Sequence, residues 1–181
     1  EQTALVVVDV QNDFAHPEGS LAIPGGDEIV ALVKAEIRRA QEAGATVAYT
    51  QDWHPERTPH FDIDGGTWPV HCVQDTWGAE LHPELEVVGP VVRKGVDGGD
   101  GYSGFSVRDP VSGEEHATRL GRLLDDAGAQ AVVVVGLAGD VCVRATALDA
   151  VRLGYHTTVL LDGVRFGRLH HLLGRGDLGG V

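Results

Sequence analysis

Residues 131–143 read AVVVVGLAGDVCV, and residues 4–14 read ALVVVDVQNDF. Each is an unbroken β-branched run that stops at a glycine or an acid. A strand with one face in water alternates apolar and polar residues, whereas a strand covered on both faces reads as a continuous apolar run. Working outward, residues 28–43 place Ile29, Val30, Val33, Ile37 and Ala40 at helical spacing, with Gly44 as the stop. Residues 47–52 (VAYTQD), 91–94 (VVRK, after Gly89-Pro90) and 157–162 (TTVLLD) read as further strands. Residues 116–127 are expected to be a helix with Leu120, Leu123, Leu124 and Ala127 on one side and Gly128 as its stop. Residues 142–153 are expected to form another, ended by Gly154. Strands alternating with helices predict an α/β chain. The expected fold is a doubly wound three-layer sandwich around a mostly parallel sheet, with right-handed crossovers that gather the loops after the strands along one edge.

The chain has 181 residues, and one domain spanning 1–181 is expected, with an atypical tail over 164–181. Lys and Arg number 14 against 27 Asp and Glu, a formal charge of −13. A nucleic-acid binder needs a cationic face to displace counterions, so that class is set aside. No apolar run reaches the length of a membrane span. The segment EQTALVVVDVQ has no basic region and no cleavage signal, so it is not read as a signal peptide. Two cysteines, Cys72 and Cys142, do not make a disulfide framework. Free thiols and a cytoplasmic location are expected.

Reactive side chains fall where such a fold puts its ligands, at the carboxyl ends of the strands. Asp9, Asp52 and Lys94 end the first three strands, and Cys142 follows the fourth and starts a helix. A buried structural thiol is the ordinary reading of a cysteine. Here the strand–GLAGDVCV–helix order puts the sulfur at a helix N-terminus, where peptide dipoles favour a thiolate and free N–H groups can hold an oxyanion. Asp9 can act as its base if the strand ends are neighbours, and Lys94 can hold that carboxylate.

A second group is Asp52, His54, His60 and His71, in a long aperiodic stretch over 53–88. One carboxylate and three imidazoles suit a divalent ion, with zinc first and iron or manganese as alternatives, and any of the four could stand outside the first shell. Positions i and i+2 of an extended segment share a face, which places Asp52 and His54 together. His16, His82, His116, His156, His170 and His171 lack such a context and are read as surface residues. Phe14, Trp68 and Tyr102 lie after the first three strands and could wall a flat heteroaromatic ligand. Residues 99–104 match G-x-G-x-x-G literally, but FSVRDP follows instead of a helix, so a dinucleotide fingerprint is rejected. Asp62, Asp64 and Gly65 lack the remaining ligands of a calcium loop.

Taken together, VVVDVQNDF (6–14), TQDWHP (50–55), WPVHC (68–72), Lys94-Gly95, YSGF (102–105) and GLAGDVCVRATALDA (136–150) resemble the nicotinamidase/pyrazinamidase family of isochorismatase-like cysteine hydrolases. The motifs run in order from about residue 4 to 163. The resemblance implies the isochorismatase-like doubly wound fold and hydrolysis of nicotinamide, and of pyrazinamide, to the acid and ammonia. It implies Asp9, Lys94 and Cys142 as the catalytic set and one divalent metal on Asp52, His54 and His71. His60 matches a position that is a ligand in some members. It further implies a cis peptide between Leu137 and Ala138, an oxyanion hole from the Ala138 and Cys142 N–H groups, and a substrate pocket that includes Phe14, Leu21, Trp68, Tyr102 and Leu137.

Gly139 and Val141 stand where members often carry Thr or Ser and His or Tyr, and beyond Gly163 the glycine- and arginine-rich tail departs from the family's final amphipathic helix. Within that tail only residues 168–173 are expected to be helical. The expected partner is a small molecule, with no nucleic acid and no membrane, and the chain is a monomer or a homo-oligomer. Two rival readings remain: a relative acting on another small amide or ureido acid, and a non-catalytic ligand-binding relative. The Asp/His metal set argues against the metal-free isochorismatase branch.

Overall fold

A computed structural model describes residues 2–167. Five strands form one sheet in the order β3-β2-β1-β6-β7: β1 (Thr3–Val8), β2 (Thr46–Asp52), β3 (Val91–Lys94), β6 (Ala131–Gly136) and β7 (His156–Val164). Every pairing within it is parallel. The chain winds outward from β1 through β2 to β3, returns to the centre as β6, and ends on the other side as β7. The point where the order reverses lies between β1 and β6, and open α/β sheets bind their ligands at such a point.

The continuous apolar strands are explained by burial on both faces. Leu5 and Val7 pack with Val47, Tyr49 and Val135 under α2 (Val30–Glu42), through Ile29, Val30, Val33 and Ile37. Ala4, Val6 and Val8 point the other way. They pack with Val92, Val132 and Val134 under Leu120 and Leu124 of α3 (Leu120–Asp126) and Ala150 of α4 (Arg144–Arg152). Each fully buried aliphatic side chain of this kind contributes about 1.5–3 kcal/mol. No described helix is long and apolar enough to cross a membrane.

Two elements differ from expectation. A helix was expected from residue 116, but α3 begins at Leu120, and Glu115–Ala117 forms β5, antiparallel to β4 (Ser106–Arg108). The apolar residues that signalled the helix all lie from Leu120 onward, while His116 and Ala117 are exposed and offer no helical face to bury. After β1 the chain makes a one-turn helix, α1 (Asn12–Ala15), which carries Phe14. The segment 53–88 contains no strand and only two short 3-10 turns, Asp62–Asp64 and Trp77–Ala79. The expected helix over 168–173 lies outside the described residues.

The junction of β1 and β6 leaves no space for a side chain. Gly136 has φ 122°, and a Cβ there would sit 2.1 Å from the Val8 carbonyl oxygen. Gly136→Ala is therefore expected to lower stability by about 2–4 kcal/mol, read as a fall in the urea midpoint at constant m. An unchanged midpoint would mean that the two central strands separate there without cost.

Candidate active site

The in-register neighbours Asp52 and Lys94 end β2 and β3, and Asp9 follows β1 directly. Lys94 Nζ lies 2.7 Å from Asp9 Oδ2 and 2.6 Å from Asp52 Oδ1. It also donates to the Gly101 carbonyl. All three charged side chains are buried. Asp9 has φ 47°, a left-handed backbone that asparagine and aspartate tolerate better than most residues. Thr50 holds it there, donating its hydroxyl to Asp9 Oδ1 at 2.6 Å and accepting the Asp9 N–H on its Oγ1 at 3.2 Å. Gln11 fixes Asp52 from behind: its Nε2 donates to the Asp52 carbonyl, and the Asp52 N–H donates to its Oε1.

One cation between two carboxylates separates their acidities. Burial raises Asp9 to about 6, against the opposing pull of Lys94. Burial pushes Asp52 the same way, but Lys94 and the neighbouring imidazoles outweigh it, and its carboxyl lies well below the usual range. Lys94 itself, despite burial, is held well above its ordinary value by Asp52 and Asp9.

Cys142 lies in a single π-helical turn, Gly139–Val143, which leads into α4. Its Sγ is 3.8 Å from Lys94 Nζ and within 4.8 Å of a carboxylate oxygen of both Asp9 and Asp52. Burial, with Asp9 and Asp52 adding to it against Lys94, pushes the thiol well above its ordinary value. The resting group is therefore a thiol, and its proton must leave before it can attack. Ala138, joined to Leu137 by a cis peptide, immediately precedes the turn.

Three of the predicted metal-site residues converge. Ring nitrogens of His54, His60 and His71 lie within 4.8 Å of one another. Asp52 Oδ2 faces His54 Nε2 at 3.6 Å and His71 Nε2 at 3.8 Å, too far for hydrogen bonds. Both nitrogens of His54 are buried with no hydrogen-bond partner. Gly95, at φ 77°, makes room for that ring, because a Cβ there would sit 2.6 Å from His54 Nδ1. The His71 Nδ1–H donates to the Pro69 carbonyl at 2.6 Å, which leaves Nε2 as the lone-pair nitrogen. Burial lowers His71 to about 4, so the ring is neutral. Buried imidazoles converging beside an ionised carboxylate, one of them with neither nitrogen partnered, are what a divalent ion requires.

These groups meet in one cavity of about 260 Å³. Phe14, Leu21, Trp68 and Tyr102 line it as expected, together with Asp52, His60, His71 and Cys142. Asp9, Lys94 and His54 lie beneath its floor, and none of them lines it. Leu137 does not belong to the wall. Its side chain is fully buried in the aliphatic cluster on the α2 face. Sequence reasoning missed Ala22, Ile23 and Pro24, which continue the apolar wall from Leu21. It also missed Thr50 and Gln11, whose only sequence signal was a place near the strand ends. The Trp68 indole N–H donates to the Tyr102 hydroxyl at 2.9 Å and ties two walls together. Of the histidines read as surface residues, His116 and His156 are exposed. His82 is not: only 9% of it is exposed, and its backbone N–H donates to the Val10 carbonyl. His170 and His171 lie outside the described residues.

The isochorismatase domain family matches residues 3–168. The nicotinamidase/pyrazinamidase of Mycobacterium tuberculosis (strain ATCC 25618 / H37Rv) is 42% identical over 88% of this chain and 84% of its own length. The nicotinamidase of Escherichia coli (strain K12) is 38% identical over 90% of this chain and 82% of its own. The crystal structure of the pyrazinamidase of Pyrococcus horikoshii in complex with zinc superposes with a TM-score of 0.82 at 40% identity, covering 92% of this chain and 87% of that one. The chain belongs to the isochorismatase-like hydrolase family.

Lys94→Met removes the cation between two buried carboxylates. Breaking a buried ion pair in this way is expected to cost about 3–5 kcal/mol at neutral pH. Without Lys94 the folded-state pKa of Asp9 rises further above its ordinary 3.8, so the folded protein takes up protons that the unfolded chain does not. The deficit should therefore shrink as the pH is lowered towards about 6, the point at which Asp9 of the native protein takes up its proton as well, followed by urea unfolding of the metal-free protein. A pH-independent deficit would show that the carboxylates are not the source of the loss.

Proposed function

We propose that this chain hydrolyses nicotinamide, and pyrazinamide, to the carboxylic acid and ammonia through a cysteine thioester. The observation that carries the reading is that Cys142, backed by Asp9 and Lys94, lines the same apolar cavity as His60, His71 and Asp52. The reaction belongs to the salvage of pyridine nucleotides. We place it in the cytoplasm, where a reducing environment keeps Cys142 free.

Asp52, His54 and His71, with His60 as a fourth, would hold a divalent ion, with zinc first and iron or manganese as alternatives. Such an ion supplies an electrophilic anchor for a ring nitrogen. The aromatic walls of Phe14 and Trp68 hold the flat ring so that its amide carbon faces Cys142 Sγ. Asp9, ionised in the resting enzyme, accepts the thiol proton as sulfur attacks that carbon. Lys94 stays protonated and keeps Asp9 aimed. The N–H groups of Ala138 and Cys142 receive the negative charge that develops on the carbonyl oxygen. Asp9 returns its proton to the amide nitrogen as the C–N bond breaks, and ammonia leaves. Asp9 then takes a proton from water, whose oxygen attacks the thioester carbon. The C–S bond breaks, the sulfur recovers the proton, and the acid departs.

Among the described residues that line the cavity there is no lysine or arginine. A ureido acid carries a carboxylate that would find no cationic side chain in that wall. The intact catalytic cluster weighs against a non-catalytic binding protein.

Cys142→Ala should reduce kcat for nicotinamide by roughly 10⁴-fold or more while zinc and nicotinamide still bind, read by ammonia release and by equilibrium binding. Turnover that survives the substitution would end the nucleophile assignment. In the native enzyme kcat/KM should fall about tenfold per unit as the pH drops below about 6, because protonated Asp9 cannot accept the thiol proton. A profile flat across that range would remove Asp9 as the base.

A further inference from the structure

Asp100 lies outside the motifs that carry the family resemblance, yet it makes the closest polar contact at the histidine cluster. Its Oδ1 lies 2.5 Å from His60 Nδ1, with the Asp100 side chain 17% exposed and the His60 side chain 3% exposed. The His60 ring is otherwise held by flat neighbours. It stacks on His54 with centroids 4.5 Å apart and planes 20° apart, and on Trp68 at 6.2 Å and 23°. Stacking fixes the plane of an imidazole but not which edge points where, since a half-turn about χ2 leaves the plane unchanged. A carboxylate on one edge decides between the two orientations.

The position of Asp100 is itself fixed by backbone. Its N–H donates to the Arg108 carbonyl at 2.7 Å and its carbonyl accepts the Arg108 N–H at 3.0 Å, which anchors it to the β4–β5 hairpin. The same loop reaches the His60 segment through Thr58, whose hydroxyl donates to the Gly98 carbonyl at 2.7 Å and accepts the His60 N–H. One residue further on, the Gly101 carbonyl accepts from Lys94.

We propose that Asp100 is a positioning residue that holds His60 with Nδ1–H on the carboxylate and so presents Nε2 to the His54–His71 cluster as a metal ligand. The proposal rests on the reading of that cluster as a metal site. A carboxylate behind an imidazole fixes its tautomer and raises its basicity as a ligand, and losing such a partner typically weakens metal affinity by about 10–100-fold.

The test is zinc affinity of metal-free protein, measured by competition with a chromophoric chelator. The variants are Asp100→Ala, Asp100→Asn, His60→Ala and the double variant Asp100→Ala/His60→Ala. Asp100→Ala should weaken zinc binding about 10–100-fold, and Asp100→Asn less, because its side-chain oxygen still accepts the Nδ1–H. In the His60→Ala background, Asp100→Ala should change the dissociation constant by less than about twofold, since its effect runs through the missing ring. An equal loss in both backgrounds would make Asp100 a general structural residue and overturn the proposal, as would native affinity in Asp100→Ala. Native protein that binds no zinc overturns the metal reading itself, a separate and recognisable result. If Asp100→Ala fails to fold, judged by the thermal midpoint of the metal-free protein, the same cycle with Asp100→Asn decides.

Discussion

The ammonium of Lys94, enclosed between two carboxylates, is the constraint around which the rest is arranged. A lone buried charge costs several kcal/mol, so none of Asp9, Asp52 and Lys94 is tolerable there without the others. Their meeting depends on parallel strands in the order β3-β2-β1, with Lys94 level with Asp52 and with Asp9 one step past the end of β1. A slip of one residue in any strand would turn its charged end to the other face of the sheet. The long aliphatic runs of β1 and β6 thus do more than fill a core. They fix the register that brings three charges from distant parts of the chain to within hydrogen-bonding distance.

The cation is shared unequally in effect. Asp52 also faces two imidazoles and stays ionised, the state a metal ligand needs. Asp9 has Lys94 and one hydrogen bond from the Thr50 hydroxyl to set against its burial, and it is raised to about 6. In the proposed reaction, two carboxylates with different acidities beside one ammonium would divide the work between a ligand and a base. The protonated thiol of Cys142 fits this division. A permanently ionised sulfur would add a third anion to a site with one lysine, whereas in the proposed reaction a thiol would deliver its proton to the carboxylate whose acidity suits accepting it near neutral pH.

Residues that carry charge or chemistry at strand ends were legible, because strand periodicity locates the ends and the fold class says which edge matters. Asp9, Asp52, Lys94 and Cys142 all lie where that reasoning puts them. Three kinds of feature were not legible. The state of Cys142 depends on burial and on carboxylates from other strands, which local position at a helix start does not reveal. The direction of Leu137 is set by packing: it joins Val135 in the aliphatic cluster on the α2 face, while the next residue, Ala138, reaches the cavity. Asp100 and Thr50 act through tertiary contacts, at separations of 40 and 41 residues, and nothing in their immediate sequence marks them. The hairpin in place of the first helical turn before α3 belongs to the same class. Its pairing partner, Ser106–Arg108, lies several residues away, and exposed polar residues carry no periodic signal.

The two departures from the family pattern, at Gly139 and in the segment after Gly163, answer each other. A Cβ on Gly139 would sit 2.7 Å from both Phe166 Cε1 and Val164 Cγ1, so the segment leaving β7 occupies the volume that a threonine or serine side chain would fill. The same segment is bonded to the nucleophile turn, with the Gly139 N–H donating to the Arg165 carbonyl at 2.8 Å and the Gly167 N–H to Asp140 Oδ1 at 2.9 Å. A hydroxyl side chain at 139 could brace this turn from within. Here the bracing comes from the chain that follows the last strand, and glycine is the residue that lets it approach. The loss of a side chain beside the nucleophile therefore does not leave the turn unsupported. It transfers the support of Cys142 to residues 164–167, and it makes the end of β7 a structural part of the site although none of the catalytic motifs extends that far.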